Sequence, residues 1–349
     1  MPWVVFCPHP AGPVKPAFKR FPCPPPGCGV NTAPMRRQHR VQEVGAGARP
    51  EISVVIPHLN QPGQLAACLA ALAEQTLAAD RFEVLVVDNG STPLPADVVA
   101  GLPGVRLAYE AQPGPGLARN RGVALAGAEI LAFLDADCIP DPGWLAAVLA
   151  AFAADPAAAV LGGAVRVFAE ADGRPNLAEA FDLVFGFRQE LTIDRHDFAA
   201  TANLAVRRAV FAAVGGFAGV SVSEDMDWGR RAKLAGFPTR FAPDARVRHP
   251  ARRSMSDLRH QWDRHVSHHW SMQPKTVRGR AGWALMAATM AASPVVEIPR
   301  VLGSDRLAGP RPRLAALRAL AALRLYRARR MLAELAGPAS GQRTARWNR

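Results

Sequence analysis

A chain of 349 residues, 49% apolar and only 20% charged, is long enough to bury a full core and is not a disordered polyelectrolyte. Its formal charge of +13 is unevenly spread: residues 1–50 carry +6, residues 51–229 carry −12 and residues 230–349 carry +19. The basic surplus therefore sits at the two ends. With no aromatic-interleaved basic stripe, zinc-finger spacing or RNP-like motif, this argues against a nucleic-acid partner and suits an anionic membrane surface.

Residues 1–49 are rich in Pro and Gly, lack periodicity and contain no apolar run of signal-peptide length, so disorder is expected there, with Met35 an alternative start. Five cysteines, at 7, 23, 28, 68 and 138, form no C-x-x-C pair. An odd count without metal spacing fits reduced thiols in a cytosolic setting.

Order is expected from Ile52. ISVVIP reads as a strand stopped by Pro57, with His58-Leu59-Asn60 as the loop at its carboxyl end. Leu65, Leu69, Leu72 and Leu77 recur at helical spacing, predicting a helix over 64–77. Phe82–Val87 is the next strand, ending in Asp88 and followed by Asn89-Gly90-Ser91. Val105–Tyr109 is a weaker strand. GPGLARNRGVALA then opens a helix whose early turns carry Arg119, Asn120 and Arg121.

The stretch EILAFLDADCIPDPGW follows. Ile130–Leu134 is a short buried strand, and it runs straight into Asp135 with Asp137 two residues on. In an open α/β sheet ligands gather beyond the carboxyl ends of the strands. Two carboxylates so placed repel unless a cation lies between them, and a Mg²⁺ that also grips a diphosphate meets that need. Asp141-Pro142 reads as an N-cap with Pro at the first helical position. Val160–Phe168 reads as a strand, whereas 175–198 mixes aromatics with charge and resists placement. Asn203–Val206 is a short strand and Arg207–Val214 a helix closed by Gly215-Gly216. Glu224, Asp225 and Asp227 then crowd the opening turn of a helix running to about Gly236. Acids there favour the helix dipole, and Ser221 with Glu224 forms a capping-box pattern. Arg246–His249 reads as a last strand.

The final third changes character. Ala281–Val296 is uncharged but short of the roughly 20 residues a membrane span needs, so a buried or interfacial helix is expected. Over 310–335, Leu314, Leu317, Leu325, Leu332 and Leu335 share one face, while Leu320 and Leu323 do not, a pattern that suits a membrane-surface helix or an ordinary docking helix equally.

Strand alternating with helix predicts an α/β fold with a mostly parallel central sheet. SVVIPHLN, EVLVVDNGST, GPGLARNRG, ILAFLDADCIPDPGWL, NLAVRRAVFAAVGGF, EDMDWGRRAKLAGF and PDARVRHP, in this order over residues 52–253, resemble the family 2 glycosyltransferases of the GT-A fold, inverting enzymes that use nucleotide-sugar donors. The resemblance implies a catalytic domain over 50–253, which leaves the Pro/Gly-rich segment expected to be disordered over 1–49 and a helical, basic extension over 254–349. It implies a donor site of Pro57, Asn60, Asp88, Arg119 and Asp135, with Asp88 on the base edge of a UDP-sugar. It further implies Mg²⁺ or Mn²⁺ on Asp137 and His249, Asp225 as catalytic base, and Glu224, Asp227 and Trp228 on the acceptor side, Trp228 and Trp144 being residues that more often pack. A glycan or lipid-linked acceptor follows, on a cytoplasmic protein peripheral to the inner face of the membrane. The Gln-x-x-Arg-Trp motif of processive polymerases is absent in that form: Gln261-Trp262-Asp263-Arg264-His265 occupies its place, which favours single transfers. Two other readings compete, a nucleotidyltransferase on a related sheet and a non-catalytic adaptor driven by the basic end.

Overall fold

The structure, a computed structural model, describes residues 49–169, 174–219 and 223–336. The expected disorder over 1–49, the cysteines at 7, 23 and 28, and Ser221 fall outside these residues, apart from positions 49 itself.

Strand β1 (Ile52–His58) is followed by helix α1 (Pro62–Ala73), β2 (Phe82–Asp88), the single turn α2 (Ala96–Val99) and β3 (Val105–Tyr109). Helix α3 (Pro115–Leu125) then leads into β4 (Ile130–Leu134), the two-residue β5 (Ile139–Pro140) and α4 (Trp144–Ala154). Beyond them come β6 (Val160–Phe168), α5 (Leu177–Phe185), α6 (Gln189–His196), β7 (Asn203–Arg207), α7 (Arg208–Val214), α8 (Glu224–Leu234) and β8 (Thr239–Pro250). Four helices close the chain: α9 (Met255–Met272), α10 (Val277–Ala292), α11 (Pro294–Leu302) and α12 (Pro310–Ala336).

The eight strands form one sheet in the order β3-β2-β1-β4-β7-β6-β8-β5. Beta-branched, fully buried strands make its centre, and their alternation sets the two faces. Ile52, Val54, Ile56, Val84, Val86, Ala132 and Leu134 point into the core shared with α1 and α4. Val55, Leu85, Leu131, Phe133, Leu204 and Val206 point into the other, shared with α7 and α8. Strands β1, β2, β3 and β4 are parallel, with His58 beside Asp88 in register. Their carboxyl ends therefore share one edge. Strand β7 enters antiparallel between β4 and β6, so the sheet is mixed beyond β4. Pro57 does not stop β1. Pairing with β4 ends at Val55, and a proline without an N–H is tolerated where an edge has opened.

Several local expectations are corrected. Helix α1 ends at Ala73, and Leu77 is buried in the following turn. Asp141 is no N-cap: α4 starts at Trp144 behind Gly143, and Asp141 accepts the Trp144 amide through its backbone carbonyl at 2.9 Å. The unplaced 175–198 stretch forms α5 and α6, the first opened by a capping box of Asn176 and Glu179. In α12 the buried side is Ala316, Ala319, Leu320, Leu323, Ala328 and Met331, whereas Leu314, Leu325 and Leu332 are exposed. This helix packs on α5, α9, α10 and α11, and close approach to several helices selects small residues that a count of leucines does not reveal.

Candidate active site

Because β1, β2 and β4 run parallel, His58, Asp88 and Asp135 at their carboxyl ends share one rim. Asp135 follows the last residue of β4, and its Oδ1 accepts a hydrogen bond from Arg119 Nη2 at 2.6 Å. Arg119 comes from the second turn of α3, whose start is fixed by Pro115 after the left-handed Gly114 (φ +134°). Helix α3 lies close on β1: a Cβ on Gly122 would stand 2.4 Å from Val55 Cγ1. The same guanidinium donates through Nη1 to Glu224 Oε1 at 3.0 Å, at the start of α8. Arg119 is 3% exposed and its Nε has no partner among the described residues. One buried cation thus ties Asp135, beyond β4, to the acidic turn of α8, where Glu224 lies 105 residues from Arg119 along the chain.

Asp137 faces the opposite way, toward β8. Its Oδ2 lies 3.3 Å from His249 Nε2, while His249 Nδ1 lies 2.7 Å from the carbonyl oxygen of Pro250. A proton on Nδ1 satisfies that carbonyl and leaves Nε2 turned to Asp137, the tautomer a metal-ligating imidazole adopts. Ligand atoms of Asp137, Cys138 and His249 all lie within 4.8 Å of one another, so a carboxylate and an imidazole are arranged to hold a divalent cation. Burial opposes the charge on each, yet the mutual bond prevails, holding Asp137 below and His249 above the usual range. Asp135 is shifted upward, chiefly by burial and also by Asp137, against the pull of Arg119. Cys68 and Cys138 are buried thiols behind the acids, both pushed up by desolvation and by those carboxylates.

Asp225 occupies the second position of α8, whose N-cap is Ser223. Its Oδ1 accepts from Ser223 Oγ at 2.8 Å and from the Met226 amide at 2.7 Å. Burial and the neighbouring Glu224 charge push its pKa above the ordinary carboxylate value of 3.8. A carboxylate so perturbed is a suitable proton acceptor. Glu224 opens the helix directly after the N-cap Ser223 and its Oε1 accepts from Arg119, while Ser221, its expected capping-box partner, lies outside the described residues. Asp227 pairs with Arg231 one turn on, at 3.0 Å, as a helix-surface bridge.

Two of the expected site residues are enclosed. Trp228 packs, as its residue type more often does: it is 1% exposed, lies against Phe211 and Phe217, and donates Nε1–H to the Gly215 carbonyl at 2.9 Å. Trp144 is likewise buried, its Nε1–H on Asn203 Oδ1. Asp88, expected on the base edge, is fully buried. Its Oδ1 is 2.9 Å from His58 Nδ1, and its Oδ2 accepts from the Gly90 and Ser91 amides at 3.1 and 2.9 Å. It is a brace, with a pKa held low against burial by Ser91, His58 and those amides. What it braces is the loop pair above: exposed Asn60, in the left-handed region at φ +54°, takes the Thr92 amide on Oδ1 and gives its own N–H to Ser91 Oγ. Pro57 is half-buried below that loop. Arg121 stands on the exposed side of α3.

Three residues not singled out from the sequence complete the rim. His58 closes the network through Nε2, which accepts the Gln61 amide at 3.1 Å. Asn89 accepts the Gly114 amide and donates to the Glu110 and Gln112 carbonyls, fixing the loop that opens α3. Asn120 grips Phe217 by both its amide and its carbonyl, at 2.8 and 2.9 Å. Their adjacency to Asp88 and Arg119 was the available signal.

Beside His249 a cleft of about 120 Å³ is lined by Phe181, Phe185, Phe187 and Trp262 with Asp182, Arg252 and Gln261. Phe187 packs on the His249 ring at 4.5 Å and is held at φ +30°, a strained backbone for an aromatic residue. Gln261 keeps a Gln-x-x-Arg spacing with Arg264, and the following half-buried His265 has its pKa pushed down to about 3 by desolvation and Arg327.

The model of Glycosyl transferase family 2 matches residues 53–215. Glycosyltransferase AglE of Haloferax volcanii is 34% identical over 209 residues, which is 58% of this chain and 68% of AglE. Pre-mycofactocin glycosyltransferase of Mycobacterium tuberculosis is 31% identical over 217 residues, covering 59% of this chain and 44% of that protein. Among solved structures, mannosyltransferase PcManGT from Pyrobaculum calidifontis, in complex with GDP-Man and Mn²⁺, superposes with a TM-score of 0.50 at 20% identity, over 83% of this chain and 76% of its own. At that identity the likeness concerns the fold alone.

Proposed function

Because this chain belongs to the family 2 glycosyltransferases and has the GT-A fold, we propose that it moves one sugar from a nucleoside-diphosphate donor to a hydroxyl of a glycan or lipid-linked acceptor, with inversion and with a divalent cation. Family membership sets aside the nucleotidyltransferase and adaptor readings. The observation that carries the proposal is the Arg119 guanidinium shared by Asp135 and Glu224: it brings the acids of β4 and of α8 to one crevice.

In this reading Asp225 takes the proton of the acceptor hydroxyl as its oxygen attacks the anomeric carbon, and the sugar–phosphate bond breaks with its electrons leaving on the diphosphate. A cation on Asp137 and His249 would act as Lewis acid toward that leaving group. The Mn²⁺ in the complex of the mannosyltransferase neighbour supports testing Mn²⁺ before Mg²⁺. Arg119 holds Asp135 and Glu224 in place and is a positioning residue. The loops carrying Asn60 and Ser91, braced by Asp88, form the nucleotide side. The aromatic cleft next to His249 suits an acceptor ring, because flat apolar faces alternate there with hydrogen-bonding groups.

A uridine diphosphate sugar is the proposed donor, with GDP- and dTDP-sugars as competitors in a thermal-shift panel run with and without Mn²⁺. Asp137→Ala is expected to lose the Mn²⁺-dependent shift. Asp225→Asn is expected to keep it while turnover falls about 10²–10⁴-fold. Wild-type turnover in Asp225→Asn would remove the base assignment.

A further inference from the structure

The donor site makes no use of the outer surfaces of α10, α11 and α12, yet these hold most of the exposed apolar bulk. Of the fourteen large apolar side chains exposed among the described residues, nine lie between Val277 and Leu332. Such clustering marks an interaction surface rather than scattered solvent contact.

Helix α10 is pinned on one side only. Trp283, Ala287 and Met290 are buried, and Trp283 donates Nε1–H to the Met331 carbonyl of α12 at 2.7 Å. On its other side Ala281, Leu285, Ala288 and Ala292 are exposed, and α11 continues with Val295, Val296, Pro299 and Leu302. Leu285 is 67%, Val295 70% and Val296 61% exposed. The one acid in this stretch, Glu297, is turned inward at 4% exposure, where it pairs with Arg300 and Arg324. The outward surface from Ala281 to Leu302 is therefore free of carboxylates. By length and composition Val277–Leu302 is apolar enough to cross a bilayer. It is instead broken at Ser293-Pro294 and fastened along α12, so it is arranged to lie on a surface.

Helix α12 supplies the charge. Its exposed positions recur every three or four residues as Arg311, Leu314, Arg318, Ala322, Leu325, Arg329 and Leu332, with no acid among them. Arg278 and Arg280 are exposed at the start of α10. Leucine alternating with arginine suits an anionic lipid interface, where apolar side chains enter the acyl boundary and guanidinium groups meet headgroup phosphates. A second copy of this chain fits poorly, because a two-fold contact through this stripe would set Arg318 and Arg329 against their own equivalents.

We propose that the outer face of α10 and α11, with the arginine–leucine stripe of α12, docks in the plane of an anionic phospholipid membrane. The assignment is independent of the donor chemistry. It keeps Leu314, Leu325 and Leu332 of the face expected for α12, leaves out the half-buried Leu317 and Leu335, and adds α10 and α11.

The test is flotation of the full chain with vesicles of phosphatidylcholine alone and of phosphatidylcholine with phosphatidylglycerol. Binding to the anionic vesicles is expected, and Leu285→Glu with Val296→Glu should abolish it. Arg318→Gln and Arg329→Gln should each weaken it about fivefold. Both apolar positions are exposed, so the variants should keep the wild-type melting temperature, measured alongside. Binding that survives Leu285→Glu/Val296→Glu would trace to the basic chain ends and overturn the proposal, as would absence of binding. A lipid-free dimer dissolved by Leu285→Glu would overturn it in favour of self-association.

Discussion

Replacing Arg119 with methionine keeps the unbranched stem of the side chain and removes the cation shared by Asp135 and Glu224. The lost bonds are 2.6 and 3.0 Å long and both are charge-assisted. Breaking a buried pair from one side costs about 3–5 kcal/mol when the orphaned partner stays dry. Here the guanidinium side chain is 4% exposed, but the carboxylates are 30% and 22% exposed and can draw water. Methionine also avoids the desolvation that the guanidinium suffers. The expected loss is therefore about 2–3 kcal/mol, or a fall of roughly 5–10 °C in Tm for a domain of this size. Thermal melts at neutral pH measure it directly. Adding Glu224→Gln to Arg119→Met should recover part of the loss, because the second change removes an unpaired charge. Arg119→Lys should fall between, since one ammonium cannot fork to both acids. An Arg119→Met protein that melts within about 1 °C of wild type, and binds donor equally well, would show that the guanidinium does not organise this rim.

The Asp137–His249 contact should make the metal-free protein pH-sensitive on both sides. His249 is raised above 6.5, so its contribution is complete below that value and disappears as pH rises through the folded-state pKa. Asp137 is lowered from 3.8, so its contribution is complete above that value and is lost as pH falls through the folded-state pKa. Melting curves of His249→Gln should lack the alkaline loss, and Mn²⁺, which competes with the proton, should stabilise wild type more at pH above this transition than below it. For catalysis, the acid limb of turnover should lie above the ordinary carboxylate value, and Glu224→Gln should move it to lower pH by removing a like charge from Asp225; an unmoved limb would assign the titration to another group. Trp228→Ala should cost about 3–5 kcal/mol in stability, read by denaturant melts, because it empties a buried ring site against Phe211 and Phe217.

Much of the architecture was legible in one dimension. Ile130–Leu134 and Val160–Phe168 have the bounds read from their apolar runs, since a strand buried on both faces is specified by its own residues and by the polar ones that end it. The acids after β2 and β4 could be placed at a common edge for the same local reason, once those strands are parallel. Partnership is a different kind of information. Nothing near Arg119 in sequence names Glu224, and although the Gly90 and Ser91 amides that hold one Asp88 oxygen are its sequence neighbours, nothing near Asp88 indicates that His58 would take the other. The leucine pattern of α12 left open whether its face is packed or exposed; Leu314, Leu325 and Leu332 stay exposed while Leu320 and Leu323 are buried, because burial there depends on which helices crowd it. Backbone dihedrals and alternation are set by neighbours along the chain, so the sequence by itself determined the strands, the acidic termini and the family. Which charge a carboxylate meets, and which helix face stays wet, depend on chain crossings that close only when distant segments pack, and those the tertiary structure alone decided.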